Sequence, residues 1–224
     1  LEDEARWFIS TDRDDAIRAK YVVHSTGPLN RPKLPAIPGI EDYKGHTFHT
    51  SRWDYEYTGG DHSGGLTNLA DKRVAVIGTG ATTIQAVPFV GKHAKEMFVF
   101  QRTPSSVDVR GNKPTDQEWA KTLKPGWQRE RRENFNDMVI GRPVKEDMVN
   151  DGWTEIFRTL ASMIPTDPDK PVSPEEAAAL ADFKKMNGIR DRVSDTVSDD
   201  GTVETLKPWY RQFCKRPTFN DDYL

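Results

Sequence analysis

Apolar residues change their rhythm along this chain, and each rhythm predicts a different kind of element. Near the start, Arg6-Trp-Phe-Ile-Ser-Thr11 and Lys20-Tyr-Val-Val-His24 flank a polar stretch from Asp12 to Asp15, the pattern of two short strands joined by a turn. A lone hairpin is marginal in water, so both strands are expected to belong to a larger sheet. Ser25-Thr26-Gly27 closes the second run, and Pro28, Pro32, Pro35 and Pro38 follow within eleven residues. Proline fixes φ and removes a donor, so this stretch predicts an extended, semi-rigid connector. Residues 41–72 read mostly as loop, with turns at Gly59-Gly60 and Gly64-Gly65.

The apolar run becomes continuous at Arg73-Val-Ala-Val-Ile77 and again at Met97-Phe-Val-Phe100, as for buried parallel strands. Between them, Ala81 to about His93 predicts a helix, which Pro88 is expected to kink or shorten. Residues 73–104 thus form a β-α-β unit. From about Asp108 to Leu206 the chain is highly charged, with apolar residues at helical spacing in Trp153, Ile156, Phe157 and Leu160 and in Ala178, Leu180 and Ala181. Ser173-Pro174-Glu175-Glu176 is a capping box with proline at the first helical position. Arg129-Glu-Arg-Arg132, with acids interleaved, reads as a solvated helix face. The fold class expected is α/β, a Rossmann-like three-layer nucleotide domain over residues 39–224 with a helical insertion at about 108–206. Residues 1–38 would be the edge of a second domain plus the connector. A doubly wound sheet needs more parallel strands than these, and neither Leu1 nor Leu224 resembles a natural terminus, so both ends are expected to be cut.

The chemistry concentrates at Gly78-Thr79-Gly80-Ala81-Thr82-Thr83, between the first parallel strand and the helix. Gly78 allows the tight exit from the strand, and Gly80 allows backbone N–H groups to approach a pyrophosphate. The third position of such a fingerprint is normally Gly or Ala; here it is Thr83. The alternative is an ordinary strand-to-helix turn. A carboxylate about 20 residues further on would mark NAD, but the second strand ends in Gln101-Arg102-Thr103-Pro104. Arg102 suits a 2′-phosphate and Thr103 adds a hydroxyl, so the pattern favours NADP. Otherwise Arg102 is a solvated strand-end cation.

Composition narrows the partners. The 32 basic and 35 acidic residues nearly cancel, which argues against a chain built for nucleic acid or for an anionic membrane surface. No apolar run approaches the ~20 residues of a spanning helix, and Leu1-Glu-Asp-Glu-Ala does not resemble a signal peptide. Cys214 is the only cysteine, which excludes an internal disulfide, a cysteine-rich zinc site and a two-cysteine redox centre. No metal is expected, the compartment expected is the cytoplasm, and Cys214 reads as a small semi-apolar filler.

Four motifs in order resemble those of one family. Tyr43-Lys-Gly45-His-Thr-Phe-His49-Thr-Ser-Arg-Trp53-Asp54 resembles the fingerprint of Baeyer–Villiger monooxygenases, departing only at Tyr43, where Phe is usual. Gly78-Thr-Gly-Ala-Thr-Thr-Ile-Gln85 resembles the second dinucleotide motif of that family, Phe100-Gln-Arg-Thr-Pro104 its second strand end, and Phe213-Cys-Lys-Arg-Pro217 its basic dipeptide. The resemblance implies a class B flavin monooxygenase that uses FAD, NADPH and O₂ to convert a ketone to an ester or lactone. It implies that Arg216 is the active-site arginine that stabilises a peroxide anion and holds the nicotinamide. Lys215 and Arg102 would clamp the 2′-phosphate with Thr103 assisting, and Gly78, Thr79, Gly80, Thr82, Thr83 and Gln85 would line the pyrophosphate. Gly45, His49, Trp53 and Asp54 would couple domain movement to cofactor binding, with His49 read as a hinge and Trp53 as a packing anchor. The first glycine motif of the family is absent, so the chain alone is expected to hold no FAD and perform no oxygenation, with the remainder of the FAD domain as its partner. An N- or S-oxygenating flavin monooxygenase and a non-catalytic nucleotide-binding module are the alternatives.

Overall fold

The computed structural model describes residues 4–163 and 172–224. They fall into two compact units, Leu1–Trp53 and Asp54–Leu224. In the first, β1 (Trp7–Ser10) and β2 (Ala16–Ala19) form an antiparallel hairpin with Trp7 opposite Ala19 and Ser10 opposite Ala16. The hairpin expected from the sequence is present, but its second strand comes earlier than Lys20–His24. The turn explains the shift: Thr11 N donates to Asp15 O at 3.3 Å and Thr11 Oγ1 to the Asp15 carboxylate at 2.8 Å. That closure pins the register at once, so pairing is spent before the β-branched run is reached. Tyr21 and Val23 are left 77% and 85% exposed. Pro28 to Pro38 contains neither helix nor strand.

In the second unit, α1 (Tyr55–Thr58) precedes β3 (Arg73–Ile77), α2 (Ala81–His93) and β4 (Glu96–Phe100). β3 and β4 run parallel in register from Arg73 opposite Glu96 to Ile77 opposite Phe100. Val74, Val76, Met97 and Val99 are the less exposed positions, whereas Ile77, Phe98 and Phe100 stand 61%, 42% and 57% exposed. The continuous apolar run therefore overstates burial, because only one of the strand faces is covered among the described residues. Pro88 does not shorten α2, which runs through it to His93. Ile84, Val87 and Val90 anchor the helix to the core, each fully buried aliphatic side chain contributing about 1.5–3 kcal/mol.

The helical insertion is observed as α3 (Gln117–Thr122), α4 (Trp127–Val139), α5 (Gly152–Met163), α6 (Pro174–Thr196) and α7 (Asp200–Leu206). The helix starts where the sequence predicts it, with Ser173 as N-cap, its Oγ accepting from Glu176 N at 3.1 Å, and proline in the first turn. The buried stripe of α6 is Ala177, Ala181, Lys185, Ile189 and Val193, whereas Ala178 and Leu180 are exposed. A lysine therefore occupies a core position that periodicity of apolar residues alone did not mark. Its ammonium is paired with Asp108 and Glu155. Arg129 lies on an exposed face of α4, paired with Glu133 at 2.8 Å.

A second parallel pair, absent from the sequence reading, closes this unit: β5 (Val107–Asp108) beside β6 (Thr218–Phe219). Two-residue strands carry too little pattern to be read, and their pairing spans more than a hundred residues. Arg192 on α6 ties β5 to the residue that follows β6, donating to Val107 O at 2.8 Å and Asn220 O at 3.0 Å. Among the described residues no helix is long and apolar enough to cross a membrane.

Candidate functional site

The C-terminal ends of β3 and β4 carry the glycine turn and the strand-end cation. Gly78 has φ 97°, a left-handed conformation that favours glycine, and its N–H donates to Phe100 O at 2.8 Å, fastening the turn to β4. Gly80 is different. As the N-cap of α2 it has φ −74° and ψ 174°, which any residue adopts, and a Cβ built there meets no atom within 4 Å. Nothing in the chain's own conformation or packing calls for glycine at this position. No side chain caps α2 and no acid lies in its first turn. The N–H groups of Ala81, Thr82 and Thr83 have no acceptor within the helix by position, so they and the helix dipole favour an anion in the open space beside Gly80.

Thr83 departs from the fingerprint without opening the turn. It is 8% exposed and shares the inward side of α2 with Ile84, Val87 and Val90. Thr82 and Gln85 are exposed, and Gln85 Nε2 donates to Ala81 O at 2.9 Å. Buried Thr79 reaches across to the other strand end, its Oγ1 donating to Thr103 O at 3.4 Å, while Ser105 Oγ donates to Thr79 O.

Lys215 arrives at the same place from the far end of the chain. Its Nζ donates to Thr103 Oγ1, to Thr103 O at 3.0 Å and to Pro104 O at 3.3 Å, and it lies 4.9 Å from the Tyr210 ring centroid. None of these partners is an anion. Desolvation first, and the neighbouring charge of Arg102 second, lower the Lys215 pKa below the usual lysine value. Arg102, Thr103 and Lys215 therefore lie together, and among the described residues no ion pair neutralises Lys215. The β5–β6 pair is what returns the chain so that residues 112 apart can meet. Arg216 follows Lys215 as an exposed residue. One residue further, Pro217 joins Phe135, Trp153, Phe157, Phe213 and Phe219 around an apolar cleft of 200 Å³. Cys214 is exposed, not a filler, because it ends a short 3-10 turn on the surface. Ser105 and Tyr210 were missed by the sequence reading; the aromatic pair Trp209-Tyr210 just ahead of Lys215-Arg216 was the available signal.

The fingerprint residues sit on both sides of the division at residues 53 and 54. In the first unit, His49 Nδ1 lies 2.8 Å from Ser51 Oγ and accepts from Ser51 N at 3.1 Å, holding its own turn together. Trp53 packs edge-on against Phe48 with centroids 5.3 Å apart. A Cβ at Gly45 would collide with the Tyr43 ring, 2.2 Å from its hydroxyl. In the second unit, Asp54 caps α1, accepting from Tyr57 N at 2.9 Å.

No family model matches the chain. Individual proteins do. A protein called Baeyer-Villiger monooxygenase ATR8 from Stachybotrys chlorohalonatus is 56% identical over the whole chain. Along its whole length the chain matches a segment of Baeyer–Villiger monooxygenases. Among solved structures, a polycyclic ketone monooxygenase from Thermothelomyces thermophila matches all of the chain with a TM-score of 0.77 and 38% identity, the chain covering 38% of that protein. A structure of OTEMO in complex with FAD and NADP matches with a TM-score of 0.61 and 25% identity, over 43% of its length. Against ATR8 the chain spans 36% of the relative's length, so it corresponds to a segment of a Baeyer–Villiger monooxygenase of that size.

Proposed function

We propose that this chain supplies the NADP-binding part of an FAD-dependent monooxygenase that uses NADPH and O₂ to insert oxygen beside a ketone carbonyl, giving an ester or lactone. The observation that carries the reading is Gly80: a glycine with no conformational or packing reason of its own, beside open space and an uncapped helix N-terminus. The residues fit a dinucleotide. Gly78, Thr79, Gly80, Thr82, Thr83 and Gln85 would line the pyrophosphate, and the unneutralised pair Arg102 and Lys215, with Thr103, would take the 2′-phosphate. When bound, the nicotinamide supplies hydride and the flavin the oxygen chemistry.

The remaining assignments follow the family motifs. Arg216 would be the catalytic arginine, and the apolar cleft that begins at Pro217 suits the carbon skeleton of a ketone. Gly45, His49, Trp53 and Asp54 would couple domain movement to cofactor binding. Residues 1–38 would belong to the flavin domain and 39–224 to the NADP domain, with the rest of the flavin domain as the partner that completes the site. Neither nucleic acid nor membrane is a proposed partner. The lone free Cys214 suits a reducing compartment, and we place the protein in the cytoplasm.

Titration with NADP⁺ and NAD⁺ tests the cofactor assignment. Arg102→Ala should weaken NADP⁺ binding about tenfold or more and leave NAD⁺ unchanged, as expected for loss of a charge-assisted contact. Equal affinities in the variant and the parent would remove Arg102 from the site. For the reaction, assaying the full-length, flavin-loaded enzyme with a cyclic ketone and a tertiary amine separates the readings, since oxidation of the amine alone would point to an N-oxygenating enzyme.

A further inference from the structure

We propose that Tyr210 is a positioning residue that holds the Lys215 ammonium at the Thr103 end of β4 and thereby sets the preference for a dinucleotide bearing a 2′-phosphate. This rests on the 2′-phosphate reading of Arg102 and Lys215 given above. The phenol is fastened at its tip to the loop that follows β4, donating to Pro104 O at 2.8 Å and accepting from Ser106 N at 2.9 Å. Its ring face carries the Lys215 ammonium at 4.9 Å. One side chain thus ties the strand-end loop to the returning segment and places the cation between them.

The need for such a platform follows from the charges. Arg102 and Lys215 repel each other when no phosphate lies between them, and lysine has a long, flexible stem that would swing away into water. A carboxylate could hold Lys215 in place, but it would also neutralise the charge that the ligand requires. An aromatic face attracts the ammonium without cancelling its charge, so the site is poised and still cationic. Burial raises the Tyr210 pKa above that of ordinary tyrosine, so the phenol keeps its proton and its bond to Pro104 O at neutral pH. The segment ahead of Tyr210 is itself held: the Arg190 guanidinium lies 4.5 Å from the Trp209 ring centroid and donates to Pro208 O at 3.0 Å.

The test is the ratio of dissociation constants for NADP⁺ and NAD⁺, measured by calorimetry on the parent protein, Tyr210→Leu, Tyr210→Phe and Lys215→Ala. Removing the platform in Tyr210→Leu should raise the NADP⁺ constant about tenfold and leave the NAD⁺ constant within about twofold. Tyr210→Phe keeps the ring but frees its tip, and should raise the NADP⁺ constant selectively by about threefold. A merely structural role would weaken both ligands alike, so uniform loss in Tyr210→Leu, or no loss, overturns the proposal. If the leucine variant does not fold, Tyr210→Phe decides on the same criterion. Lys215→Ala separates the two layers of inference: a selective loss there keeps the 2′-phosphate reading standing whatever Tyr210 does, and an unchanged ratio there overturns both.

Discussion

The two strand ends of the β-α-β unit and the polar core of the helical insertion both hold charged groups, and they treat them in opposite ways. In the insertion, charge is matched inside the chain: Lys185 is 8% exposed and paired with Asp108 and Glu155, and Asp147 is bonded to Thr154 and Arg158. At the strand ends, Arg102 and Lys215 approach each other with only carbonyls, a hydroxyl and an aromatic face around Lys215, next to a helix terminus that nothing caps. Burying charge is costly, so the insertion matches Lys185 within the chain, whereas Arg102 is exposed and Lys215 only half-buried, where water or a bound anion can serve. The two places differ in whether the counter-charge belongs to the same chain, and on the proposed function the strand-end charges await a 2′-phosphate.

The largest effect should come from breaking the matched core. Lys185→Ala leaves Asp108 without its cation and should cost about 3 kcal/mol of stability, the lower end of the range for a broken buried pair because Glu155 is half-exposed. Chemical denaturation measures it, and a cost below about 1 kcal/mol would show the pair to be no more than a surface one. The same substitution logic inverts at the open site. Gly80→Val should leave the denaturation midpoint nearly unchanged, since a Cβ there meets nothing within 4 Å. Its branched side chain should instead exclude the phosphate and weaken NADP⁺ binding on the order of thirtyfold, about 2 kcal/mol. Loss of stability without loss of binding would mean that the turn is only a turn.

Much of this contrast was legible in advance, and for identifiable reasons. The β-α-β unit is local: its strands, glycines and helix lie within 31 residues, Arg73 to Thr103, and each carries its own period or turn chemistry. Arg102 was readable because it ends a strand where a carboxylate is otherwise expected. The matched core was not readable, because Lys185 looks like any surface lysine until β5 places Asp108 against α6. The β5–β6 pair and Tyr210 depend on contacts across more than a hundred residues, about which a linear pattern is silent. Strand burial was overstated for a related reason: apolar runs report what a face can pack against, not whether something covers it. The hairpin register was set by hydrogen bonds in the Thr11–Asp15 turn, which outweighed the stronger β propensity of the run after it.

The smallest expected effect separates the two kinds of charge by pH. Desolvation raises the Asp147 pKa, but hydrogen bonds from Thr154, the Asn150 N–H and Arg158 outweigh it, and the net shift is downward. A carboxylate with a lowered folded-state pKa stabilises fully above its unfolded value, about 3.9, and that contribution disappears as pH falls through the lower folded value. The loop before α5 should therefore loosen only below about pH 4, seen as faster amide exchange at Val149 and Asn150, whose N–H groups bond Asp147 Oδ1 at 3.0 and 2.8 Å. Asp147→Asn should show that faster exchange already at neutral pH. Lys215 has the opposite sense: its lowered pKa means that the folded chain resists its protonation, and a bound phosphate should reverse this by favouring the charged form. NADP⁺ binding should then take up protons in buffers on the alkaline side, where Lys215 is partly neutral. NAD⁺ binding should not, and proton uptake equal for both ligands would detach Lys215 from the 2′-phosphate.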